Sequence, residues 1–157
     1  MAITSTLTTS FKKQLLEGTH NFKNSGGNNF KLALYTSSAT LGATTTAFTT
    51  TGQASGTNYT SSGANLTNVD PTSSGTTGFT DFADLTFGTA TITARGCMIY
   101  NSSATNASVA TIDFGSPAFD SFRCVSYLSI SIGFCSTSFC STWLLSKTLN
   151  CFLDREQ

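Results

Sequence analysis

Residues 89–115 read TATITARGCMIYNSSATNASVATIDFG, two apolar, β-branched runs joined by a polar loop. The loop Asn101–Ala107 supplies turn residues, so the stretch predicts a β-hairpin. Gly96 interrupts the alternation of the first run, which is typical of a β-bulge, while Ala110 and Ile112 share a face in the second run. If the first run is one unbroken strand, one face carries Ile92, Ala94, Met98 and Tyr100 and the other carries Thr91, Thr93 and Arg95.

The composition favours one small β-rich domain and disfavours several classes of function. A chain of 157 residues is long enough to bury a real core. Only 10% of the residues are charged, against about 25% in ordinary domains, and Ser and Thr supply roughly a third of the chain. Because the formal net charge is zero, we expect no nucleic-acid partner and no binding to an anionic membrane.

An amphipathic pattern near the N-terminus predicts one α-helix over residues 3–17, ended by a left-handed cap at Gly18. We interpret the apolar stripe of this helix as packing on a sheet, with docking of a partner as the alternative. The segment lacks the basic start and apolar run of a secretory signal, so we expect no export by that route. The stripe consists of Ile3, Leu7, Phe11 and Leu15.

The middle of the chain predicts strands of unequal strength. Residues 23–29 have a loop composition, and residues 30–36 then alternate as a half-buried strand. Residues 37–77 are nearly all Ser, Thr, Gly, Ala and Asn; we expect two weak strands there, near Tyr59 and Leu66, with a flexible arm as the alternative. The faces of the strand over residues 30–36 are Phe30, Leu32 and Leu34 on one side and Lys31, Ala33 and Tyr35 on the other.

Residues 78–87 (GFTDFADLTF) return to strand character just before the hairpin. They carry three phenylalanines, Phe79, Phe82 and Phe87. We predict that these three rings lie in the core. An aromatic platform that binds a sugar is the alternative interpretation.

The last part of the chain, residues 116–157, contains less Thr and Gly and more Cys, Phe and Leu. A membrane span requires about 20 apolar residues, and seven serines between Cys124 and Ser146 argue against one. We therefore expect no membrane partner. An alternation that suits a strand involves Leu128, Ile130, Ile132 and Phe134.

The cysteines of this last part do not have the spacing of a metal site. They include no C-x2-C pair, the spacing typical of zinc ligands. The only histidine, His20, lies far away in sequence, so we expect no zinc. A cytosolic origin would keep their thiols reduced. The four cysteines are Cys124, Cys135, Cys140 and Cys151.

The remaining candidates for chemistry are weak. Asp81 and Asp84 lie three apart, but calcium requires roughly six to eight oxygens and no acidic loop surrounds the pair, so we interpret both as solvated or turn-capping. His20 has no recognisable Ser or Cys partner and is interpreted as a surface or helix-end residue. Gly26–Gly27 lacks the Lys and Ser/Thr of a phosphate loop. We therefore predict no catalytic site, no metal and no cofactor.

Five strings carry a resemblance: AITSTLTTSFKKQLLEGTHNF, FKLALYTSSATLGATTTAFTTTGQASGTNYT, TGFTDFADLTF, ATITARGCMIYNSS and ASVATIDFG. They resemble a family of small proteins encoded by tailed phages, especially marine ones, over about residues 2–115. The strings LALYTSSATLG and TITARGxxIYN are the most specific. The resemblance implies a virion structural protein, such as a capsid decoration, head or tail component, and it brings no catalytic residues.

The chain departs from this family at about Pro117. Family members continue with a polar linker and a last strand of the form F-x-I-x-F-P, where this chain has SPAFDSFRCVSYLSISIGFCSTSFCSTWLLS. Because the gain of Cys, Phe, Leu and Trp is typical of out-of-frame translation, we hypothesise a frameshift or a replaced terminus. We divide the chain into a β-rich domain, residues 1–115, and an atypical tail, residues 116–157, that is frameshifted or poorly folded. Alternatively, Leu128–Phe134 takes the place of the missing strand.

The predicted fold is an antiparallel β-sandwich or barrel-like domain with one N-terminal α-helix. We expect a non-enzymatic protein of the virion, and of the host cytoplasm during assembly, that binds other virion proteins, its own copies or a capsid lattice. One alternative is a receptor- or glycan-binding module of the tail that uses exposed aromatics such as Tyr35, Phe48 and Tyr59. A second alternative is a wall-degrading hydrolase, which would need convergent carboxylates.

Overall fold

The structure, a computed structural model, describes residues 2–87, 90–115, 122–124, 126–135 and 145–151. Within these residues the protein is mainly β, with antiparallel sheets and one short helix near the N-terminus, which confirms the predicted fold class. The described strands do not close into a barrel, and their arrangement is compatible with a sandwich. The helix α1 is Thr9–Leu16, and the strands are β1 Thr6–Leu7, β2 Phe30–Tyr35, β3 Gly56–Thr57, β4 Ala64–Leu66, β5 Asn68–Ser74, β6 Thr77–Phe82, β7 Leu85–Thr86, β8 Ala90–Ile92, β9 Gly96–Asn101, β10 Ala107–Asp113, β11 Phe122–Cys124, β12 Ser126–Cys135 and β13 Leu145–Cys151.

The central sheet has five strands in the order β1-β10-β9-β2-β4, each antiparallel to its neighbour. β9 and β10 form the predicted hairpin. The bulge lies on β10 and not at Gly96: the register shifts between Ser108 and Ala110, so that Val109 and Ala110 both contact the same core cluster. Gly96 instead begins β9, where an added Cβ would collide with the carbonyl oxygen of Ile112.

The first run of the hairpin is two strands, so the condition under which its residues would share one face is not met. β8 and β9 belong to different sheets. Ile92 joins one core cluster, while Met98 and Tyr100 join the other. The Arg95 N–H donates to the carbonyl oxygen of Tyr35 (2.7 Å), which ties the chain to β2 just after the break. A period of two describes alternation within a strand, but it does not reveal where the chain changes sheets.

Both faces of the central sheet are buried. The division of β2 into two faces is confirmed, but the prediction of a half-buried strand is wrong, because Ala33 and Tyr35 are fully buried. The Ser/Thr-rich segment covers this second face, and its Ala39 and Leu41 pack against the sheet. One face of β2 and β9 carries Phe30, Leu32, Leu34, Cys97 and Ile99, and the other carries Ala33, Tyr35, Met98 and Tyr100.

The Ser/Thr-rich segment, residues 37–77, contains β3, β4 and β5. β3 and β4 confirm the weak strands predicted near Tyr59 and Leu66. The part of the segment before β3 follows the central sheet without forming a long strand of its own. Isolated bridges attach it to the chain at Leu41 with Ile3, Ala47 with Ala107, and Gln53 with Tyr35.

The helix α1 is shorter than the apolar stripe predicts, because the residues before Thr8 are extended and include β1. Ile and Thr are β-branched and favour extended backbone. Thr8 caps the helix by accepting the Phe11 N–H on its Oγ1 (3.4 Å). The predicted C-cap is confirmed, since Gly18 has φ +70° and the hydrogen bonds after the helix form a Schellman motif.

Two further sheets complete the described fold. One has the order β13-β12-β6-β5, with β7 also paired to β12, and the other has the order β11-β8-β3. β6 and β7 confirm the strand character of residues 78–87, and β12 confirms the strand predicted at residues 128–134. The division of the chain at residue 115 stays a prediction. In the described part of the chain, every helix is too short or too polar to cross a bilayer.

Candidate functional site

His20 is 8% exposed and lies just after the end of α1, so its interpretation as a surface residue is wrong and its interpretation as a helix-end residue is confirmed. The Schellman turn at Gly18 reverses the chain and brings the imidazole back against the apolar side of α1. Its Nε2 lies 3.0 Å from Gln14 Oε1, and its Nδ1 lies 2.9 Å from Asn101 Nδ2. Burial lowers the pKa of His20. Three rings surround it at centroid distances of 4.9, 6.4 and 6.3 Å, those of Phe11, Phe22 and Phe30 respectively.

The polar contacts of His20 continue through asparagine side chains. Asn101 Nδ2 also donates to Asn28 Oδ1 (3.0 Å), and Asn28 Oδ1 accepts the Asn21 N–H (2.7 Å). The Ser103 N–H donates to Asn101 Oδ1 (3.0 Å). These contacts fix the segment after the helix to the end of the β9–β10 hairpin. The sequence did not reveal them, because the partners lie 73 and 81 residues apart and each asparagine alone looks like loop composition.

The same segment is bound to β5 on its other side. Asn68 is 8% exposed, and its Nδ2 donates to the carbonyl oxygens of Lys23 (3.1 Å) and Asn28 (3.0 Å). Among the described residues its Oδ1 has no hydrogen-bond partner. The Asn24 N–H donates to Asp70 Oδ1 (2.7 Å). Residues 19–29, which we name the latch segment, therefore connect the helix, the hairpin end and β5.

The aromatic residues named for glycan binding are not exposed. Tyr35 is 0% exposed, and Phe48 and Tyr59 are half-buried. The Phe48 ring stacks on Tyr100 at a centroid distance of 4.7 Å. Tyr35 is therefore not available to stack on a sugar, whereas a glycan site that uses Phe48 or Tyr59 stays a prediction.

The tyrosine hydroxyls bind the Ser/Thr-rich segment to the central sheet. Burial raises the pKa of Tyr35, Tyr59 and Tyr100 above the ordinary tyrosine value, so these three phenols stay protonated. In place of large apolar side chains, these hydrogen bonds join a segment of small residues to the sheet. Tyr35 and Tyr100 lie on the face that the segment covers, whereas Tyr59 packs against the cluster of the opposite face. They run from Tyr35 Oη to Thr49 O (2.6 Å), from the Leu34 N–H to Tyr59 Oη (2.7 Å), and from Tyr100 Oη to Ser62 O (2.8 Å).

The three phenylalanines predicted for the core differ in burial. Phe82 is buried and Phe87 packs, partly buried, against the same cluster. Phe79 is 37% exposed, so its placement in the core is wrong. Alternation along β6 explains the difference, because Thr80 and Phe82 share the inner face and Phe79 lies on the outer one.

Phe79 and Val69 form the largest exposed apolar feature of the β5–β6 hairpin. Across this hairpin Val69 pairs with Asp81 and Thr72 pairs with Phe79, so these side chains share its outer face. Val69 is 44% exposed. We name Val69 and Phe79 the outer strip. The rest of β5 is polar and exposed, and Pro71 lies in the register shift between Val69 and Thr72.

Among the residues that the structure describes, Asp81 and Asp84 are not part of a group of side chains that could hold a metal ion. Asp81 Oδ1 accepts the Phe82 N–H (2.8 Å), and Asp84 is exposed beyond the end of β6. The described residues contain no group of three or more His, Cys, Asp and Glu side chains that could hold a metal ion. Cys140 lies outside the described residues, and for the other three tail cysteines the structure describes only the backbone. The expectations for these thiols stay predictions.

Buried hydroxyls meet at the bulge of β10. Ser108 Oγ lies 3.0 Å from Thr8 Oγ1 and donates to the carbonyl oxygen of Thr45 (2.6 Å). A nucleophilic serine needs a neighbouring base that takes its proton. The hydrogen-bond partners of the Ser108 hydroxyl are other hydroxyls and a carbonyl group, so the cluster joins the helix start, the bulge and the Ser/Thr-rich segment.

The base of the β9–β10 hairpin carries an ion pair. Arg95 Nε and Nη2 donate to the two carboxylate oxygens of Asp113 at 2.6 and 3.0 Å. This hydrogen bonding raises the pKa of Arg95. The paired geometry is the strong bidentate form, and it joins the residue before β9 to the last residue of β10.

The imidazole of His20, the hydroxyl of Ser108 and the Arg95–Asp113 pair each contact another part of the same chain. Comparisons with protein-family models, with curated proteins and with solved structures found no match for this chain.

Proposed function

We propose that this chain is a non-enzymatic structural protein of a tailed-phage virion, in the capsid decoration, the head or the tail. The observation that carries the proposal is the internal use of reactive groups: the imidazole of His20, the hydroxyl of Ser108 and the Arg95–Asp113 pair each join two segments. A hydrolase would instead present an acid or base to substrate in a cleft. The resemblance of residues 2–115 to small phage proteins supports the same class.

The proposed mechanism is repeated surface contact. The surface is rich in Ser and Thr and the formal net charge is zero, so charge repulsion between copies is small. The outer strip adds a small apolar contact beside polar side chains, which is the mixture that protein interfaces use. On a symmetric particle each weak contact is repeated, and avidity strengthens the whole assembly. The partners are other virion proteins, copies of this chain or a capsid lattice, during assembly in the host cytoplasm and afterwards in the virion.

Quantitative mass spectrometry of purified particles tests this proposal. For the phage that encodes the chain, we expect a high copy number that matches the symmetry of the head or tail. Absence of the protein from purified particles would contradict the proposal. A low copy number with affinity for host cells or sugars would favour the alternative receptor-binding module, and hydrolysis of wall material would favour an enzyme.

The outer strip supplies a variant test of the contact mechanism. Val69→Thr combined with Phe79→Thr removes the strip and leaves at both positions a β-branched residue, which suits a strand. We expect weaker co-sedimentation with particles that lack the protein, by about tenfold, because two exposed apolar side chains supply on the order of 1–2 kcal/mol when buried at an interface.

The matched control is Leu16→Gln, which removes the most exposed large apolar side chain of the described residues, on α1 and not on the β5–β6 hairpin. Its binding should equal that of the unmodified chain. Equal weakening by the strip variant and the control, or no weakening by the strip variant, would remove the strip from the mechanism.

A further inference from the structure

The hydrogen bonds around Asn101 fix which atom of its amide faces His20. The Ser103 N–H donates to Asn101 Oδ1, so this atom is the oxygen. Asn101 Nδ2 donates to Asn28 Oδ1, which is itself identified as the oxygen because it accepts the Asn21 N–H. The atom 2.9 Å from His20 Nδ1 is therefore an N–H donor.

This arrangement selects one neutral form of the imidazole. Facing a donor, Nδ1 of His20 must carry a lone pair and accept. The proton is then on Nε2, which donates to Gln14 Oε1 (3.0 Å). A second proton on Nδ1 would place two N–H groups against each other and would break the contact with Asn101.

Among the described residues, no negatively charged group contacts His20 to offset the positive charge of the protonated imidazole. The described residues that contact the ring are aromatic or amide groups. On the elements packed around it, the charged groups of the helix and of the latch segment are exposed; Lys31 on β2 lies on the face opposite Phe30, and Asp81 on β6 lies on the outer face. Asp70 on β5 is exposed, and its carboxylate accepts the Asn24 N–H of the latch segment. The lowered pKa of His20, caused by burial alone, agrees with this. The exposed charged groups are Lys12, Lys13, Glu17 and Lys23.

We propose that His20 is an acid-operated latch: a proton on Nδ1 releases the latch segment from the end of the β9–β10 hairpin. Release breaks the contact between Asn101 and His20 and uncovers the rings of Phe22 and Phe30, which stack at 4.5 Å. Because Asn68 and Asp70 of β5 bind the same segment, the opening also loosens the hairpin that carries the outer strip.

The sign of the pH dependence follows from proton linkage. The closed state holds His20 neutral, whereas in the open state the group titrates near its ordinary pKa of 6.5. Below pH 6.5 the open state binds more protons, so the opening equilibrium rises by up to about tenfold per pH unit until the closed imidazole also titrates. Above pH 6.5 the closed state keeps its full stability.

Hydrogen exchange of the full chain at pH 7.5 and pH 5.0 tests the latch. After correction for intrinsic rates, the amides of residues 21–29 should exchange up to about tenfold faster per pH unit below pH 6.5. The β9 amides serve as an internal reference and should change less. NMR titration of the imidazole is unambiguous because His20 is the only histidine, and it should report a pKa below 6.5.

Two variants separate the latch from general acid instability. His20→Gln cannot titrate, so exchange of the latch segment should no longer depend on pH. Asn101→Asp places an acceptor opposite Nδ1, so the imidazole pKa should rise and the pH response should shrink or reverse. An imidazole pKa at or above 6.5 in the unmodified chain, or the same acid response in His20→Gln, would overturn the proposal.

Discussion

The central sheet and the β5–β6 hairpin use the same strand geometry with opposite surroundings. β2 and β9 are buried on both faces, one against the helix and aromatic cluster and the other under the Ser/Thr-rich segment. The β5–β6 hairpin buries Thr80 and Phe82 on its inner face and exposes Val69, Thr72 and Phe79 on its outer face. The first region therefore determines stability, and the second is available for contact with other molecules.

This difference also separates two uses of Ser and Thr. Over the central sheet, small polar residues form a cover that tyrosine hydroxyls hold in place. On β5 the same residue types face solvent. The two stretches have similar Ser- and Thr-rich compositions, so only their tertiary contacts show that one covers the sheet and the other faces solvent.

The largest expected loss of stability comes from creating a cavity in the central sheet. Ile99→Ala removes a fully buried side chain and should lower the free energy of unfolding by about 2–5 kcal/mol. The matched change on the hairpin, Val69→Ala, should cost within about 0.5 kcal/mol, because Val69 is exposed. Urea unfolding followed by circular dichroism measures both. Similar losses in the two variants would contradict the division into a stabilising and a contact region.

A smaller effect is expected at glycines that differ in their surroundings. Gly63 has φ +81°, and an added Cβ would collide with the carbonyl oxygen of Leu32, so Gly63→Ala should cost about 1–3 kcal/mol. Gly78 on β6 has open space at its Cβ position, and Gly78→Ala should be neutral or slightly stabilising. Thermal unfolding of the pair gives the ranking. If Gly63→Ala is tolerated, the cover over β2 is less closely packed than described.

The smallest expected effect concerns single tyrosine hydroxyls that join the Ser/Thr-rich segment to the central sheet. Tyr59→Phe leaves the buried Leu34 N–H without its acceptor and should cost about 1–2 kcal/mol. Tyr100→Phe removes a donor from the carbonyl group of Ser62, a half-buried residue that water reaches, so its cost should be lower. Denaturant unfolding of both variants distinguishes them. The reverse order would show that the Tyr59 hydroxyl is not what holds the segment on β2.

The sequence predicted those parts of the fold that depend on local pattern. Alternation located β2, β6 and β12, and turn residues located the hairpin of β9 and β10. The glycine signal at Gly18 gave the helix end, because a left-handed cap is a local requirement. The helix start was placed too early, since the amphipathic spacing of Ile3 and Leu7 also fits extended residues that pack on a sheet.

The buried contacts could not be predicted from the sequence, because local pattern does not reveal which distant segment covers a residue. Whether Tyr35 faces solvent depends on a cover supplied by residues 37–54, which composition alone describes as loop. The burial of His20 depends on Asn101, whose position is set by the long-range register of β9. Local pattern predicts which residues alternate, and tertiary pairing decides which of them are covered.

The strand order of the central sheet has a consequence for synthesis on the ribosome. β1 pairs with β10 and β2 pairs with β9, so each of these two early strands can pair only after a strand much later in the sequence has been synthesised. Until Gly96–Asn101 has left the exit tunnel, the nascent chain holds Phe22 and Phe30 without the strand that shields them. Because pairings distant in sequence form slowly, folding of this chain is a late event in translation. A prematurely terminated product therefore exposes aromatic side chains that chaperones and proteases recognise.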